Sequence, residues 1–268
     1  MNILVTVDEN YLSPLTVMLK SLAANNADEP IDVYVMSRSV TKEQIGKVRE
    51  SLAEPGMQFF LIRVEHSLAD QAPTSSRYPL EIYDRLFAAS YLPASLHRIL
   101  YLDPDVIVMR PLKQLWELPM GDQMYAAASH VGKIGNALNS ARVNAEEIVP
   151  YINTGVLLMN LDILRAEQVP DEILSYISSR KAFLLLPDQD IIAGLYGKRI
   201  IRLDPYIYNM TERLLKKSAL TPESDINAEW VMENTCIFHY IGRNKPWKPH
   251  YAGQMRGLYE KYSSMVSG

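Results

Sequence analysis

Residues 2–64 alternate between two kinds of segment, and this alternation constrains the fold more than any other feature of the chain. Asn2 to Val7 is apolar almost throughout, as a strand buried on both faces must be. It ends at Asp8-Glu9-Asn10-Tyr11. Leu12, Leu15, Met18, Leu19 and Leu22 then recur at the spacing of an amphipathic helix, with Ser13 as its N-cap and Pro14 at the first helical position. Ile31 to Met36 reads as a second strand. Thr41 to Leu52 reads as a helix opened by a capping box, Thr41 with Gln44, and Phe59 to Val64 as a third strand. Strand-helix-strand units of this length demand right-handed crossovers and a parallel sheet. The expected class is therefore α/β, a mostly parallel central sheet flanked by helices. Ligands of such sheets bind beyond the carboxyl ends of strands, where Asp8 and Asn10 fall.

The stretch Ile99-Leu100-Tyr101-Leu102-Asp103-Pro104-Asp105-Val106-Ile107-Val108 places two carboxylates between two buried apolar segments. Asp is disfavoured in strands, and two like charges this close repel unless a cation lies between them. On an extended backbone, positions i and i+2 point the same way, roughly 6.6 Å apart. The expectation is a divalent metal that holds a diphosphate. A second Asp-x-Asp, Asp188-Gln189-Asp190, reads as a helix start with Asp188 as N-cap, able to present Asp188 and Gln189 to a cleft.

Composition removes several alternatives. A net charge of −4 gives no overall attraction to nucleic acid. A single cysteine, Cys236, excludes an internal disulfide framework and fits a small buried apolar role in a reducing, cytoplasmic setting. No apolar run approaches membrane-spanning length, and the N-terminal residues carry no signal-peptide pattern. No Gly-x-Gly-x-x-Gly follows the first strand and no Walker motif occurs, so a bound nucleotide is not held by a glycine-rich loop. A metal-dependent nucleotidyltransferase, which would use a basic glycine-rich loop there, is disfavoured for that reason. A non-catalytic sugar-nucleotide-binding module is the other rival.

Along the rest of the chain, residues 66–79 read as a polar surface loop with Pro73, Ser75, Ser76 and Pro79. Tyr83, Arg85, Leu86 and Phe87 read as a helix, and Met124 to Ala128 as a strand. Residues 129–150, with Gly132, Gly135, Asn136 and Asn139, read as a long, mobile loop. The polar turn Tyr151-Ile152-Asn153-Thr154-Gly155 leads into the buried strand Val156 to Leu161. His239 precedes a turn-rich segment with Gly242, Lys245 and Trp247. Imidazole suits manganese-like ions better than magnesium, and Lys245 suits a diphosphate oxygen. The tail, about 243–268, interleaves basic and aromatic residues. It has two readings: a peripheral membrane contact, or a helix packed on the domain through Met255, Leu258 and Tyr262.

Taken in order, these pieces make the chain resemble the family 8 retaining glycosyltransferases of the GT-A fold, which include bacterial lipopolysaccharide galactosyl- and glucosyltransferases and glycogenin. The resemblance rests on Thr6, Asp8, Asn10 and Tyr11; Tyr83-Asp84-Arg85; Leu100 to Asp105; Asn153 to Asn160; Asp188-Gln189-Asp190; and His239 to Trp247. It covers nearly all of residues 1–268 and implies one GT-A domain. It implies a UDP-sugar donor, UDP-glucose or UDP-galactose, a saccharide or lipid-linked acceptor, and Mn²⁺, with Mg²⁺ as the alternative. Asp103, Asp105 and His239 would hold the metal. Thr6, Asp8, Asn10 and Tyr11 would line the uridine pocket. Arg85, Asn153, Thr154, Asp188 and Gln189 would contact the donor sugar, Asp188 and Gln189 nearest the chemistry. Gly242 and Lys245 would grip the diphosphate. Pro104, counted among the donor-binding residues, and Thr154 stand where the family often has small residues, so backbone contacts at both positions would differ. The implied activity is retaining hexosyl transfer in lipopolysaccharide or cell-surface glycan synthesis, in the cytoplasm or at the inner face of the membrane. Gln189 is a poor nucleophile, which favours same-face attack over a covalent intermediate.

Overall fold

The computed structural model describes residues 1–65, 70 and 80–266. The surface loop expected at 66–79 lies outside the described residues, apart from residue 70. The expected alternation is present: β1 (Asn2–Thr6), α1 (Leu12–Ala24), β2 (Ile31–Ser37), α2 (Lys42–Leu52) and β3 (Met57–Arg63). β4 (Arg98–Leu102), β5 (Val106–Val108), β6 (Tyr125–Ala128), β7 (Val156–Asn160), β8 (Ile200–Leu203) and β9 (Ile237–His239) follow. Seven strands form one sheet in the order β3-β2-β1-β4-β7-β6-β8, and β5 pairs with β9 in a separate ribbon. Every neighbouring pair in the large sheet is parallel except those made by β7, which runs antiparallel to β4 and β6.

The period-2 rule explains why these strands read as continuous apolar runs. Ile3, Val5, Leu100, Leu102, Val156 and Leu158 pack on the face covered by α1 and α2. Leu4, Ile99, Tyr101, Leu157 and Met159 pack on the other, with Phe87, Ile173 and Ile191. Both faces are covered, so neither needs polar residues. A third core joins Ile107 and Phe238 of the ribbon to Val17, Leu214, Tyr240, Met255, Leu258 and Tyr262.

Three expectations are corrected. Ser13 does not cap α1. The helix begins at Leu12 directly after a 3₁₀ turn, Glu9–Tyr11, and it is Asp8 that caps that turn. Pro14 sits in the first turn, where backbone N–H groups have no intrahelical partner to lose. Residues 129–150 are not a loop throughout, because Lys133–Arg142 is a helix. Its buried residues are the polar Asn136 and Ser140, while Ile134 and Leu138 are exposed. Asn136 Oδ1 accepts from Tyr151 N at 2.9 Å, and Ser140 Oγ accepts from Val149 N at 2.9 Å. A helix seated through polar groups leaves no apolar period to read. The third correction, at Asp188, concerns the candidate site. The Thr41–Gln44 capping box is present as expected.

In the tail, the Arg256–Ser263 helix packs inward. Met255, Leu258, Tyr259 and Tyr262 are buried, and Asn25 Nδ2 donates to Tyr262 OH at 2.8 Å. Cys236 is half-buried and burial raises its thiol pKa, the environment of an inert cysteine. Among the described residues no helix is long and apolar enough to cross a membrane.

Candidate active site

The parallel pair β1–β4 and the antiparallel β7 bring three chain segments to one sheet edge. Leu102 is in register with Val156, and Asp103 N donates to Gly155 O at 2.8 Å, so Asn153-Thr154-Gly155 lies beside the end of β4. The chain then turns at Pro104 and enters β5. Val106 is in register with His239 across the ribbon, and Tyr240 N donates to Asp105 O at 3.0 Å. Asp103 and Asp105 are therefore not on one extended strand. A turn and a ribbon partner converge them instead.

His239 Nε2 lies 3.2 Å from Asp105 Oδ1 and 3.6 Å from Asp103 Oδ2. One ligand atom from each of Asp103, Asp105 and His239 falls within 4.8 Å of the others. Oxygen ligands of divalent ions sit about 2.0–2.6 Å from the metal, so ligands across one ion are about 4–5 Å apart. The donor set and its spacing fit a divalent cation with coordination positions left for a phosphate. Gly155 keeps this space open. A Cβ there would lie 2.2 Å from His239 Cε1 and 2.7 Å from Asp103 Oδ2.

Positive groups surround the carboxylates. Lys245 Nζ, buried, pairs with Asp105 Oδ2 and donates to Tyr240 O at 2.8 Å. Burial alone would raise the Asp105 pKa; His239 and Lys245 overcome it and hold the carboxyl well below the usual range. The Arg85 guanidinium lies under the Tyr101 ring at 4.4 Å, with Nη1 3.1 Å from Asp103 Oδ1 and 3.3 Å from Asp188 Oδ2. Burial opposes its charge, but Tyr101 and the carboxylates keep it ionised. Its Nε is buried without a partner among the described residues, an unmet donor at the centre of the site. Tyr101 OH donates to Asp103 Oδ1 at 2.6 Å and lies 3.0 Å from Thr6 Oγ1.

The two Asp-x-Asp motifs part company here. Asp188 is not an N-cap: the helix runs Pro187–Tyr196 after Leu186, which puts Asp188 in its first turn with the proline at its start. A proline needs no N–H partner there, so the helix starts two residues earlier than an Asp188 cap would imply. Asp188 Oδ2 accepts from Thr154 Oγ1 at 2.6 Å and Oδ1 from Gln189 N at 3.0 Å. Burial nevertheless raises its pKa, against the pull of Arg85 and Thr154. Asp190 faces the opposite way, fully buried. Its carboxylate is filled by Arg142 at 2.6 and 2.9 Å, Tyr151 OH at 2.6 Å, and the N–H groups of Leu185 and Leu186.

A cleft of about 330 Å³ gathers Arg85, Asp103, Asp105, Asn153, Thr154, Asp188, Gln189, His239, Gly242 and Lys245. Gly242 holds φ at 89°, the left-handed region that favours glycine. Thr6, Asp8, Asn10, Tyr11 and Pro104 are not in its lining. Thr6 supports Tyr101. Asp8 accepts from Asn10 N at 2.9 Å and Tyr11 N at 3.2 Å. Tyr11 sits edge-on to Trp247, with ring centroids 6.1 Å apart.

Two residues escape sequence reasoning. Asn209, wholly buried, offers Oδ1 to His239 Nδ1 at 3.0 Å, while its Nδ2 donates to Asn153 Oδ1 at 2.9 Å. An amide oxygen only accepts, so Nδ1 carries a proton toward Asn209 and Nε2 is the atom left to face the carboxylates. Asn209 Oδ1 thereby orients His239, and its own carbonyl lies 2.8 Å from His130 Nε2, an imidazole that burial lowers to about 4. Arg213 lines the cleft from an exposed helix face. Neither stands in a patterned motif; both meet the site only through folding.

The match to the model of glycosyl transferase family 8 spans residues 2–250, and the chain belongs to this family. It is 27% identical over 248 residues to a lipopolysaccharide 1,2-glucosyltransferase of Escherichia coli K12, covering 92% of this chain and 72% of that one. It is 24% identical over 271 residues to general stress protein A of Bacillus subtilis 168, covering 98% and 93%. Its backbone is similar to galactosyltransferase LgtC solved with donor and acceptor sugar analogues, with a TM-score of 0.82 at 22% identity over 100% of this chain and 97% of that one. The fold is GT-A, and the protein is a glycosyltransferase.

Proposed function

We propose that this glycosyltransferase moves a hexose, glucose or galactose, from a UDP-sugar to a saccharide acceptor with retention of configuration, using Mn²⁺ at Asp103, Asp105 and His239. The observation that carries the reading is the convergence of these three ligands with Lys245, Arg85, Asp188 and Gln189 in one cleft. A bound divalent ion would act as a Lewis acid on the diphosphate. Lys245, beside Asp105, adds positive charge where the leaving group becomes more negative. Arg85 fixes Asp188 and Asp103 relative to one another. Thr154 and Gln189 orient Asp188 toward the donor sugar. Uridine would sit toward Thr6, Asp8, Asn10 and Tyr11, at the end of β1.

Same-face attack suits these groups. The bond from the anomeric carbon to the diphosphate oxygen breaks, with its electrons leaving on UDP. The acceptor oxygen bonds to the same face, and its proton passes to the departing diphosphate oxygen. Asp190 is fully engaged by Arg142 and Tyr151, and Asp188 by Thr154 and Arg85, which supports a route without a carboxylate nucleophile. Relatives named for lipopolysaccharide transfer support an acceptor in a cell-surface glycan, and hence a place at the cytoplasmic face of the membrane.

UDP release from UDP-glucose or UDP-galactose with Mn²⁺ tests the reading. Asp103→Asn and Asp105→Asn are expected to abolish metal-dependent release with the far-UV circular dichroism unchanged. Full activity in both variants would overturn it.

A further inference from the structure

Three cavities meet at Arg213. It lines the cleft described above, a cavity that runs past His130 and Tyr151, and another of about 240 Å³ beside Gly242. The last is also lined by Lys216, Arg243 and Glu212. Arg213, Lys216 and Lys217 stand at i, i+3 and i+4 on the exposed face of the Glu212–Ala219 helix, which buries Leu214, Leu215 and Ser218 on its other side. Gly242 brings its loop against this helix: a Cβ built there would lie 3.9 Å from Arg213 Nη2.

Like charges at helical spacing repel one another. Among the described residues these three cations and Arg243 have no ion-pair partner, as is also true of Arg49, Lys133 and Arg202; what sets them apart is that Arg213, Lys216 and Arg243 line one cavity. The cluster also runs against a net charge of −4. Unneutralised cations concentrated around a concave site attract an anion. Glu212 also lines this cavity, but its carboxylate is turned inward: Oε1 takes hydrogen bonds from Tyr251 OH at 3.1 Å and Met255 N at 2.8 Å, and Oε2 is buried.

We infer that this cavity is a subsite for an anionic substituent, a phosphate or a carboxylate, carried by the acceptor. Arg213, Lys216 and Arg243 hold the anion. The inference rests on the glycosyl-transfer reading, which it sharpens: the acceptors are acidic saccharides. A flat anionic membrane is the weaker occupant, because the cations surround a concavity that shares Arg213, Ile241 and Gly242 with the cleft, and the nearby Tyr251 and Tyr259 are buried.

Isothermal titration with glucose 6-phosphate, galacturonate and glucose, in the presence of UDP and Mn²⁺ to fill the cleft, tests it. The two acids are expected to bind about tenfold more tightly than glucose, with an advantage that added salt erodes. Lys216→Ala with Arg243→Ala is expected to remove that advantage and to leave UDP-sugar hydrolysis without acceptor unchanged; Lys216→Arg alone is expected to preserve it. Equal binding of acids and glucose overturns the inference, as does an advantage that the double variant keeps. Loss of sedimentation with phosphatidylglycerol vesicles in the double variant, with all three sugars bound alike, would reassign the surface to a membrane. Absence of UDP release from any UDP-sugar would sink the glycosyl-transfer reading instead, and the titration would still report on the cavity.

Discussion

Gly155 shows how much a missing side chain can decide. Its Cβ would enter space already held by His239 and Asp103, so Gly155→Ala must push one of two candidate metal ligands aside. Its expected effect is a loss of Mn²⁺ affinity of about tenfold or more, read by electron paramagnetic resonance titration. Asp188 shows the opposite case, a charge kept at a cost. Burial raises its carboxyl pKa, so the ionised form destabilises the folded chain above that pKa, and the cost fades as pH falls through it. Asp188→Asn is therefore expected to raise Tm at pH 7 by about 2–4 °C while activity falls, and the gain should shrink near pH 4. A lowered Tm at pH 7 would mean that the pairing with Arg85 outweighs the burial.

Among the elements, the short ribbon β5–β9 brings two of the three candidate metal ligands together. Its three residue pairs place His239 against Asp105 and pack Ile107 and Phe238 into a core separate from the two that flank the sheet. The Arg256–Ser263 helix closes that core, with Tyr262 bonded to Asn25 of the loop after α1. Leu258→Ala is expected to cost about 2–5 kcal/mol in urea denaturation. If vesicle sedimentation changed while stability held, the helix would be a membrane element rather than a core element. The Lys133–Arg142 helix was illegible in the sequence because it packs through Asn136 and Ser140 and exposes Ile134 and Leu138, the reverse of the usual pattern.

At the scale of the whole molecule, the candidate metal ligands come from the end of β4, the turn after it and the end of β9, so a bound ion ties the sheet to the ribbon. Anything that binds only the folded state stabilises it, by about 2.7 kcal/mol at a hundredfold excess over Kd. Mn²⁺ is expected to raise Tm by several degrees in the native chain and not in Asp103→Asn; equal shifts in both would place the ion elsewhere. The sequence alone determined the alternation of buried strands and amphipathic helices, because periodicity and capping are local. It also determined which residues have the chemistry of metal and diphosphate ligands. Only the tertiary structure decided which of them meet. Asp105 and His239, far apart in the chain, touch because β5 and β9 pair, and Asn209 enters because Met210 bridges β9, donating to Ile237 O and accepting from His239 N. The two Asp-x-Asp motifs are alike in sequence and opposite in fate. At 103–105 a turn converges both carboxylates. At 188–190 the backbone is helical, successive residues advance by about 100°, and positions i and i+2 point to nearly opposite sides. Asp188 therefore faces the cleft, and Asp190 is locked in the core by Arg142 and Tyr151.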